Sequence, residues 1–304
     1  MSSIDPGELL QYLINGLALG SIYALIALGY TMVYGILKLI NFAHGEFYMA
    51  GGIFGVLAIG TLGLHPALGV LAVLVACGAL AMLVERLAYR PLRNKNRIAP
   101  LITALGVSIV LMEGFRVVFG AQPRSFPQLF ENTVYDLGEW FPSLEGVIVQ
   151  QTQIVIFLVM LVLMSALSYI VLKTKMGRAM RALSFDFDAS RLMGVPIDRV
   201  IAFTFFLGAS LAGIAGILVG MYFNNVEPYM GQLAGLKAFT AAVLGGIGVI
   251  PGAVLGALAL GVCESLVVGY GQSSYRDAIA FGILILMLTT RPWGLLGKPQ
   301  REKV

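Results

Sequence analysis

Long, continuous apolar runs recur from one end of the chain to the other, and no other feature limits its fold as strongly. A helix needs about 20 apolar residues to cross about 30 Å of hydrocarbon, and most of the runs reach that length. Their continuity excludes a transmembrane β-barrel, whose strands alternate polar and apolar residues. The runs lie at 9–37, 42–63, 66–86, 98–119, 152–172, 200–223, 233–248, 250–271 and 275–290.

Composition indicates the same class of protein. Hydrophobic residues make up 58% of the 304 residues and charged residues 12%, whereas about a quarter of the residues of a typical soluble domain are charged. The sequence therefore predicts an all-α, polytopic transmembrane helical bundle of about eight to ten spans, with nine favoured. We expect a single transmembrane domain over residues 1–304.

The distribution of charge predicts the orientation of the bundle. Of the 20 Lys and Arg residues, 15 lie in 86–97, in 173–199 and in the tail from Arg291, so these segments face the cytoplasm by the positive-inside rule. The loop 120–151 carries four acids against one arginine, and we place it outside. The acidic N-terminus then lies outside as well, which requires an odd number of crossings. Because the basic residues lie in loops and form no patch, we expect no nucleic-acid partner.

Residues that could support catalysis or bind a cofactor are scarce. Only two histidines occur, His44 and His65, which leaves no metal cluster and no catalytic triad. The glycine-rich run 245–252 lacks both the last glycine of the dinucleotide fingerprint and the Gly-Lys-Ser/Thr ending of a phosphate loop. Its Pro251 instead suits the first turn of a helix. We therefore predict no catalytic, cofactor-binding or metal-binding residue and no enzymatic activity.

Small residues recur at every fourth position along three series in the second half of the chain. Such ridges let helix backbones approach closely in lipid, where hydrophobic collapse gives no help. We therefore expect them to be helix-packing surfaces. The positions are Gly208, Ala212, Gly216 and Gly220, then Gly248, Gly252 and Gly256, and finally Ala253, Ala257 and Gly261.

Four polar residues within or next to the apolar runs are candidates for a translocation pathway: Asn41, His44, Glu46 and Glu264. Ionisable groups in lipid are costly, and they mark a pathway, a pair or a helix end. Glu264 lies in the middle of its run without a partner nearby in sequence, so a structural and a functional role stay equally open. Lys237 is expected to extend its ammonium group to the outer surface from the end of its short run.

The stretch 38–46 has two interpretations. Asn41 is a good N-cap, and Glu46 would lie near the positive end of the helix that follows. An ordinary capped helix start therefore explains both residues. A cluster of Asn, His and Glu between two apolar runs also suits a broken helix that lines a cavity.

The segment 173–199 is a charged island between two long apolar runs, with six basic residues and three aspartates. Gly194 and Pro196 end its helical pattern, and Asp198 is placed to cap the next helix. On periodicity alone, the helix could equally lie on anionic lipid or receive another protein. The pattern predicts one short amphipathic helix with a polar face (Arg181, Ser184, Asp188, Arg191) beside an apolar one (Met180, Leu183, Phe187).

A family resemblance bears on this choice. The run MGRAMRA…ASRLMGVPIDRVIAFTF resembles the cytoplasmic loop of ABC-importer permeases, where a short coupling helix inserts into a groove of the ATPase subunit. The blocks GLALGSIYALIALGYTMVYGILKLINFAHGEFYM (16–49) and GLKAFTAAVLGGIGVIPGAVLGALALG (235–261) are similar to the permease of branched-chain amino-acid importers. In length the chain resembles the shorter of that family's two permease types.

The resemblance implies a set of partners. The chain would lie in the bacterial inner membrane, pair with a homologous second permease, and receive substrate from an external binding protein. Two cytoplasmic ATPase subunits would bind ATP and Mg²⁺, so this chain would carry no cofactor. Residues of the matching loop would contact the ATPase, namely Gly177, Arg178, Arg181, Ala189, Met193 and Gly194.

Other functions stay open from the sequence. Within the importer class, the substrate could be another small polar solute, such as a different amino acid, an amide or urea. An ion-coupled secondary transporter would need intramembrane acids such as Glu46 and Glu264 to titrate. An integral membrane enzyme would need a catalytic constellation, which we do not find. No substrate-contacting residue transfers from the resemblance.

Overall fold

The computed structural model of the protein describes residues 5–93, 98–139, 142–144 and 146–297. All nine predicted apolar runs are helical in this part of the chain. Some of the charged residues that contribute to the predicted orientation lie outside the described residues, namely Lys95, Arg97, Glu145, Lys298, Arg301 and Lys303.

Helices account for most of the described chain. The π-helix Val56–Thr61 continues α2, and the π-helix Glu85–Tyr89 with the 3₁₀ turn Arg90–Leu92 continues α3. The α-helices are α1 (Pro6–Leu37), α2 (His44–Gly55), α3 (Pro66–Val84), α4 (Ile98–Phe119), α5 (Gln151–Lys173), α6 (Lys175–Phe185), α7 (Phe187–Leu192), α8 (Ile197–Phe223), α9 (Met230–Gly245), α10 (Ile250–Tyr270) and α11 (Arg276–Thr290).

Six of these helices are long and apolar enough to cross a membrane. They are α1, α3 with its continuation, α4, α5, α8 and α10, whereas α2, α9 and α11 are shorter. The predicted polytopic helical bundle is therefore confirmed. The number of complete crossings stays a prediction, because it depends on the three short helices.

α1 lies at the centre of the bundle and packs antiparallel against α10. A Cβ atom on Gly16 would lie 2.6 Å from the Cα of Val262, and one on Gly20 would lie 2.8 Å from the carbonyl oxygen of Ala257. Only glycine permits so close an approach of two backbones, and close contact is what holds helices together in lipid. In the apolar 18-residue stretch of α1 that could cross a membrane, 89% of the residues are buried.

The small-residue ridge of α8 forms a second seam, against α1 and α2. Gly208 faces Gly29 of α1, and a Cβ on Gly216 would lie 2.1 Å from the carbonyl oxygen of Tyr48 in α2. The predicted ridge of α8 is therefore a packing surface.

In α10, Gly252, Gly256 and Gly261 also lie against the backbones of neighbouring helices. Gly248, predicted as part of that ridge, lies instead in the turn before α10.

The short helices α2 and α9 begin inside the bundle. His44, the first residue of α2, lies against Gly29, about two turns before the end of α1. Gly45 packs against Gly231 and Gly235 in the first turns of α9. The N-termini of the two helices therefore meet at the centre of the molecule, which agrees with the broken-helix interpretation of 38–46.

Asn41 does not cap α2, contrary to one of the two interpretations of this stretch. The N-cap residue is Ala43, which has no capping side chain. The Asn41 carbonyl oxygen Oδ1 instead accepts hydrogen bonds from the Ala43 amide at 3.1 Å and from the Tyr89 hydroxyl at 2.5 Å. Asn41 thus holds the turn that re-enters the bundle and ties it to the end of α3.

The start of α1 and the described part of the loop 120–151 lie at the same end of the bundle, as their charges predict. Strand β1 (Arg124–Ser125) pairs with β4 (Asn225–Val226), which follows α8, and β2 (Val134–Asp136) pairs with β3 (Ile148–Gln150). The Ile148 amide donates to the Gln11 side chain of α1 at 2.7 Å. We call this end the outer end, following the predicted orientation, and the opposite end the inner end.

The turn between α9 and α10 lies at the inner end. Gly246 and Gly248 have φ angles of 108° and 96°, in the left-handed region that glycine adopts readily. Pro251 stands in the first turn of α10, as predicted. The amides of Leu295 and Leu296 donate to the carbonyls of Leu244 and Gly245, so the segment after α11 returns to this turn.

Candidate translocation route and coupling surface

Glu46 lies where the N-termini of α2 and α9 meet. Its side chain is buried, and Oε1 accepts a hydrogen bond from the Ser108 hydroxyl of α4 at 2.8 Å. Oε2 has no hydrogen-bond partner among the described residues, and it lies 2.6 Å from the position of a Cβ on Gly231. The carboxylate therefore lies beside the first turns of both α2 and α9.

His44 is packed between aromatic rings in the same region. The ring centroids of His44 and Tyr30 lie 4.7 Å apart in an edge-on arrangement. Nε2 has no hydrogen-bond partner among the described residues, and it faces the backbone of Gly29. The imidazole therefore fills the gap that Gly29 leaves in α1.

Glu264 belongs to a different cluster, closer to the outer end. Its side chain is fully buried, and Oε2 accepts hydrogen bonds from the Arg276 Nε at 2.6 Å and from the Tyr23 hydroxyl at 3.1 Å. The Lys237 ammonium lies 3.1 Å from Oε1 and 2.7 Å from the Asp277 carboxylate. One carboxylate of α10 therefore joins α1, α9 and α11.

Lys237 does not extend to the surface, contrary to the prediction from its position. Only 3% of it is exposed, because Glu264 and Asp277 bind its ammonium group inside the bundle. An ion pair in a water-poor interior needs such partners, since a lone charge there would be costly. The sequence does not predict that Arg276 and Tyr23 bind Glu264. They lie 12 and 241 residues away from it along the chain, and only the fold brings them together.

A cavity of about 500 Å³ opens beside this cluster, between α1, α8, α9 and the start of α11. We call it the outer cavity. Its charged and polar lining includes Lys237, Arg276 and Glu227. Apolar side chains form the remaining wall, among them Leu19, Ile22, Val219, Phe223, Leu233 and Met230. The cavity thus offers both signs of charge next to an apolar surface.

The four predicted pathway residues form two groups. Asn41, His44 and Glu46 lie at or just before the start of α2 and do not line the outer cavity. Glu264 lies behind the cavity wall, where it holds the two cations that face the cavity. No metal site emerges from these groups, since the described residues contain no cluster of three His, Cys, Asp or Glu side chains fit for one.

The charged island 173–199 forms two helices, α6 and α7, and not the single helix that periodicity predicts. Asp186 separates them with φ −152°, and its carboxylate accepts a hydrogen bond from the Ala189 amide, which caps α7. Met180 and Leu183 are buried, as expected of the apolar face. Phe187, predicted on that face, is exposed on α7. Gly194 ends α7 with φ 77°.

Five of the six predicted ATPase-contact residues are exposed: Arg178, Arg181, Ala189, Met193 and Gly194. The sixth, Gly177, is buried, because a Cβ there would lie 2.2 Å from the carbonyl oxygens of Ile170 and Val171 in α5. Gly177 therefore serves the packing of α6 against α5. The Arg181 guanidinium donates to the Val171 carbonyl and so caps the end of α5.

Three large apolar side chains protrude from α6 and α7. Phe185, Leu192 and Met193 are 88%, 89% and 83% exposed. Apolar groups so fully exposed at the end of a bundle are typical of a surface that another molecule covers. We call this group, with its flanking arginines Arg178 and Arg181, the coupling surface.

Asp198 does not cap α8, contrary to prediction. Pro196 is the N-cap residue, and Asp198 lies in the first turn. Its carboxylate instead pairs with Arg90 and Arg93 from the end of α3. Burial lowers the pKa of the Arg93 guanidinium, while the hydrogen bond and charge of Asp198 oppose that shift. An arginine stays charged under such a shift, so the pairing links α3 to α8.

Comparison with known proteins gives a consistent set of relatives. A family model described as "branched-chain amino acid transport system / permease component" matches residues 12–288. The chain is 45% identical to the high-affinity branched-chain amino acid transport system permease protein BraD of Pseudomonas aeruginosa, over 97% of this chain and 98% of that one. It is 43% identical to LivH of Escherichia coli over 97% of each chain.

A second kind of relative is longer. LivM of Escherichia coli, also a high-affinity branched-chain amino acid transport system permease protein, is 29% identical over 90% of this chain but only 68% of its own length. The chain therefore corresponds in length to LivH and BraD, the shorter of the two types.

Proposed function

The chain belongs to the family of permease components of branched-chain amino acid transport systems, and we propose that it is a pathway-forming subunit of an ATP-driven importer of leucine, isoleucine and valine. It is a multi-pass membrane protein of the shorter permease type. In this proposal it pairs with a homologous second permease in the cell membrane. An external binding protein delivers the substrate, and two cytoplasmic ATPase subunits bind ATP and Mg²⁺.

The observation that carries this proposal is the match to BraD and LivH along almost the entire chain. Both relatives are named as high-affinity branched-chain amino acid transport permeases, and each identity of 43–45% is measured over 97% of this chain. In an ABC importer, such a permease component forms the route for the substrate and has no enzymatic activity of its own.

The outer cavity supports the proposed class of substrate. A branched-chain amino acid has a carboxylate, an ammonium group and a small apolar side chain. Lys237 and Arg276 can attract the carboxylate, Glu227 can attract the ammonium group, and the wall formed by Leu19 and Ile22 can receive the side chain. Urea or a small amide would leave both the charges and the apolar wall without a partner.

The coupling surface supports the proposed energy source. Phe185, Leu192 and Met193 protrude from the inner end, on the segment that resembles the coupling helix of ABC permeases. Apolar anchors with a polar and charged rim are the usual form of a protein contact that carries binding energy. We propose that the ATPase subunits cover these side chains and move them during ATP hydrolysis.

The decisive experiment is uptake by the complete transporter reconstituted in liposomes. We expect labelled leucine to enter when ATP is supplied to the ATPase side, to compete with isoleucine and valine, and to stop with vanadate. The double variant Leu192→Glu with Met193→Glu should lose ATPase co-purification and uptake at least tenfold, because two buried carboxylates oppose docking. Arg181 is left unchanged, since it also caps α5.

Leu62→Glu is the matched control, since Leu62 is 71% exposed and lies outside the coupling surface, between α2 and α3. It should keep both ATPase binding and uptake. Uptake that persists without ATP and collapses with an ionophore would instead identify an ion-coupled transporter. Uptake of urea or an amide in preference to leucine would contradict the proposed substrate.

A further inference from the structure

Five arginines gather at the inner end of the bundle, where the end of α3 meets the junction of α7 and α8. Among the described residues that line the hollows at this place, two carry a carboxylate, Glu85 and Asp198. The arginines therefore leave an excess of positive charge in one place, contrary to the expectation from sequence that the basic residues form no patch. They are Arg86, Arg90, Arg93, Arg191 and Arg199.

Four of these arginines line a cleft of about 700 Å³. Asp198 pairs with Arg90 and with Arg93, and Arg93 also pairs with Glu85. These contacts fix the two arginines of α3 in place. Arg191 and Arg199 are exposed and form no ion pair with the described residues, so their charge is available to a ligand.

An apolar groove continues from this cleft along α3 and α8. It has a volume of about 500 Å³ and shares Arg90, Asp198 and Arg199 with the cleft, while Arg86 also lies at this charged end. Its remaining lining is mainly apolar, from Ala79, Met82, Leu83 and Ala202. Because α3 with its continuation is long and apolar enough to cross a membrane, a groove along its inner half would extend from the inner interface into the hydrocarbon layer.

We propose that an anionic phospholipid occupies this site, with its phosphate in the arginine cleft and an acyl chain in the groove. Arginine forks bind phosphate oxygens in pairs, and basic pockets at the inner interface favour anionic headgroups. A free phosphate would use the cleft alone. An acidic segment of another protein would leave the groove on the membrane side empty, so the continuity of cleft and groove favours the lipid.

The bound lipid would connect the coupling surface to α3. Arg191 belongs to α7, which carries Leu192, whereas Arg90 ends α3 and Arg199 begins α8. A phosphate between these arginines would hold three elements together at the point where the coupling segment enters the bundle. The lipid site is independent of the substrate proposed above.

The test uses the full chain purified in a neutral detergent. Melting temperature is followed on titration with phosphatidylglycerol, with phosphatidylcholine of the same chains and with inorganic phosphate, and bound lipid is counted by native mass spectrometry. Only phosphatidylglycerol should stabilise the protein. Arg191→Gln with Arg199→Gln should weaken its apparent affinity about 25-fold, or about fivefold for each arginine. Leu83→Trp, which fills the groove, should also weaken it.

Arg178→Gln is the control, because Arg178 is an exposed arginine of α6 outside both cleft and groove. It should bind phosphatidylglycerol as the unmodified chain does. Equal stabilisation by phosphatidylcholine, or by inorganic phosphate alone, would overturn the proposal. So would unchanged binding in the arginine variants. If the double variant does not fold, Arg191→Gln alone, at an exposed position, gives the same answer with a fivefold effect.

Discussion

Glu264 is fully buried in α10, at a depth where an unpaired carboxylate would be unstable. Its two oxygens bind Lys237, Arg276 and Tyr23, and Asp277 adds a second negative charge beside the lysine. The group therefore has two positive and two negative members. Such a network fixes the positions of the cations that face the outer cavity, so that the packing of the bundle and the charge of the cavity wall depend on the same carboxylate.

Glu264→Gln removes the charge that the two buried cations share. We expect a lower melting temperature in detergent and a loss of about 3 kcal/mol or more in stability, since breaking a buried ion pair leaves an uncompensated charge. Adding Lys237→Met should recover part of the loss, because the lysine no longer needs a partner. Thermal unfolding of the two single variants and the double variant measures this coupling.

Asp277→Asn serves as the comparison for this change. The Asp277 side chain is 48% exposed, so solvent screens its charge and its removal should cost less than about 1 kcal/mol. A Glu264→Gln variant that unfolds no earlier than Asp277→Asn would show that the carboxylate does not hold the cluster together.

At the scale of the elements, α2 and α9 are broken helices whose N-termini meet at the centre. Gly45 makes the meeting possible: a Cβ there would lie 2.2 Å from the carbonyl oxygen of Gly231 and 2.8 Å from the Cα of Gly235. Both obstacles are backbone atoms, which cannot move aside as a flexible side chain can. The sequence thus specifies a contact between helix starts that are far apart along the chain.

Gly45→Ala should separate α2 from α9. Overpacking of this kind costs about 1–3 kcal/mol, and we expect a lower melting temperature together with reduced ATP-driven uptake. Gly106→Ala in α4 is the matched control, because nothing lies within 4 Å of the added methyl group, and alanine favours the helix by up to about 1 kcal/mol. Equal melting temperatures for the two variants would contradict the close contact at Gly45.

The helices themselves could be predicted from the sequence, because length and hydropathy suffice to locate a helix in lipid. Their breaks could not be predicted so well. Asp186 divides the charged island into two helices by capping the second, which the pattern of polar faces does not reveal. The inward start of α2 depends on Gly29 and Gly231, which are tertiary neighbours. For the same reason the partners of Glu264 were not predicted.

At the scale of the whole molecule, burial divides the bundle into a centre and a periphery. In the apolar 18-residue stretches of α1 and α8, 89% and 78% of the residues are buried. In the corresponding stretches of α4 and α5, only 17% of the residues are buried. The faces of α4 and α5 that point away from the bundle are apolar, so lipid or another apolar helix must cover them. The two ends also differ, since one carries the β-strand pairs and the other the coupling surface and the arginine cleft.

This difference between the ends predicts a sidedness that labelling can measure. In a background with Cys77→Ala and Cys263→Ala, a membrane-impermeant maleimide applied to intact cells with a permeable outer envelope should label Val134→Cys. Val134 is 55% exposed in β2, at the outer end. Arg178→Cys, exposed on α6, should be labelled only in inside-out vesicles that contain the chain without its ATPase subunits, since the basic segments face the cytoplasm. Labelling of both positions from one side would contradict the odd number of crossings between them and the orientation predicted from charge. The cysteine-free background gives the level of non-specific labelling, and the melting temperature of each purified variant establishes that the labelled molecules are folded.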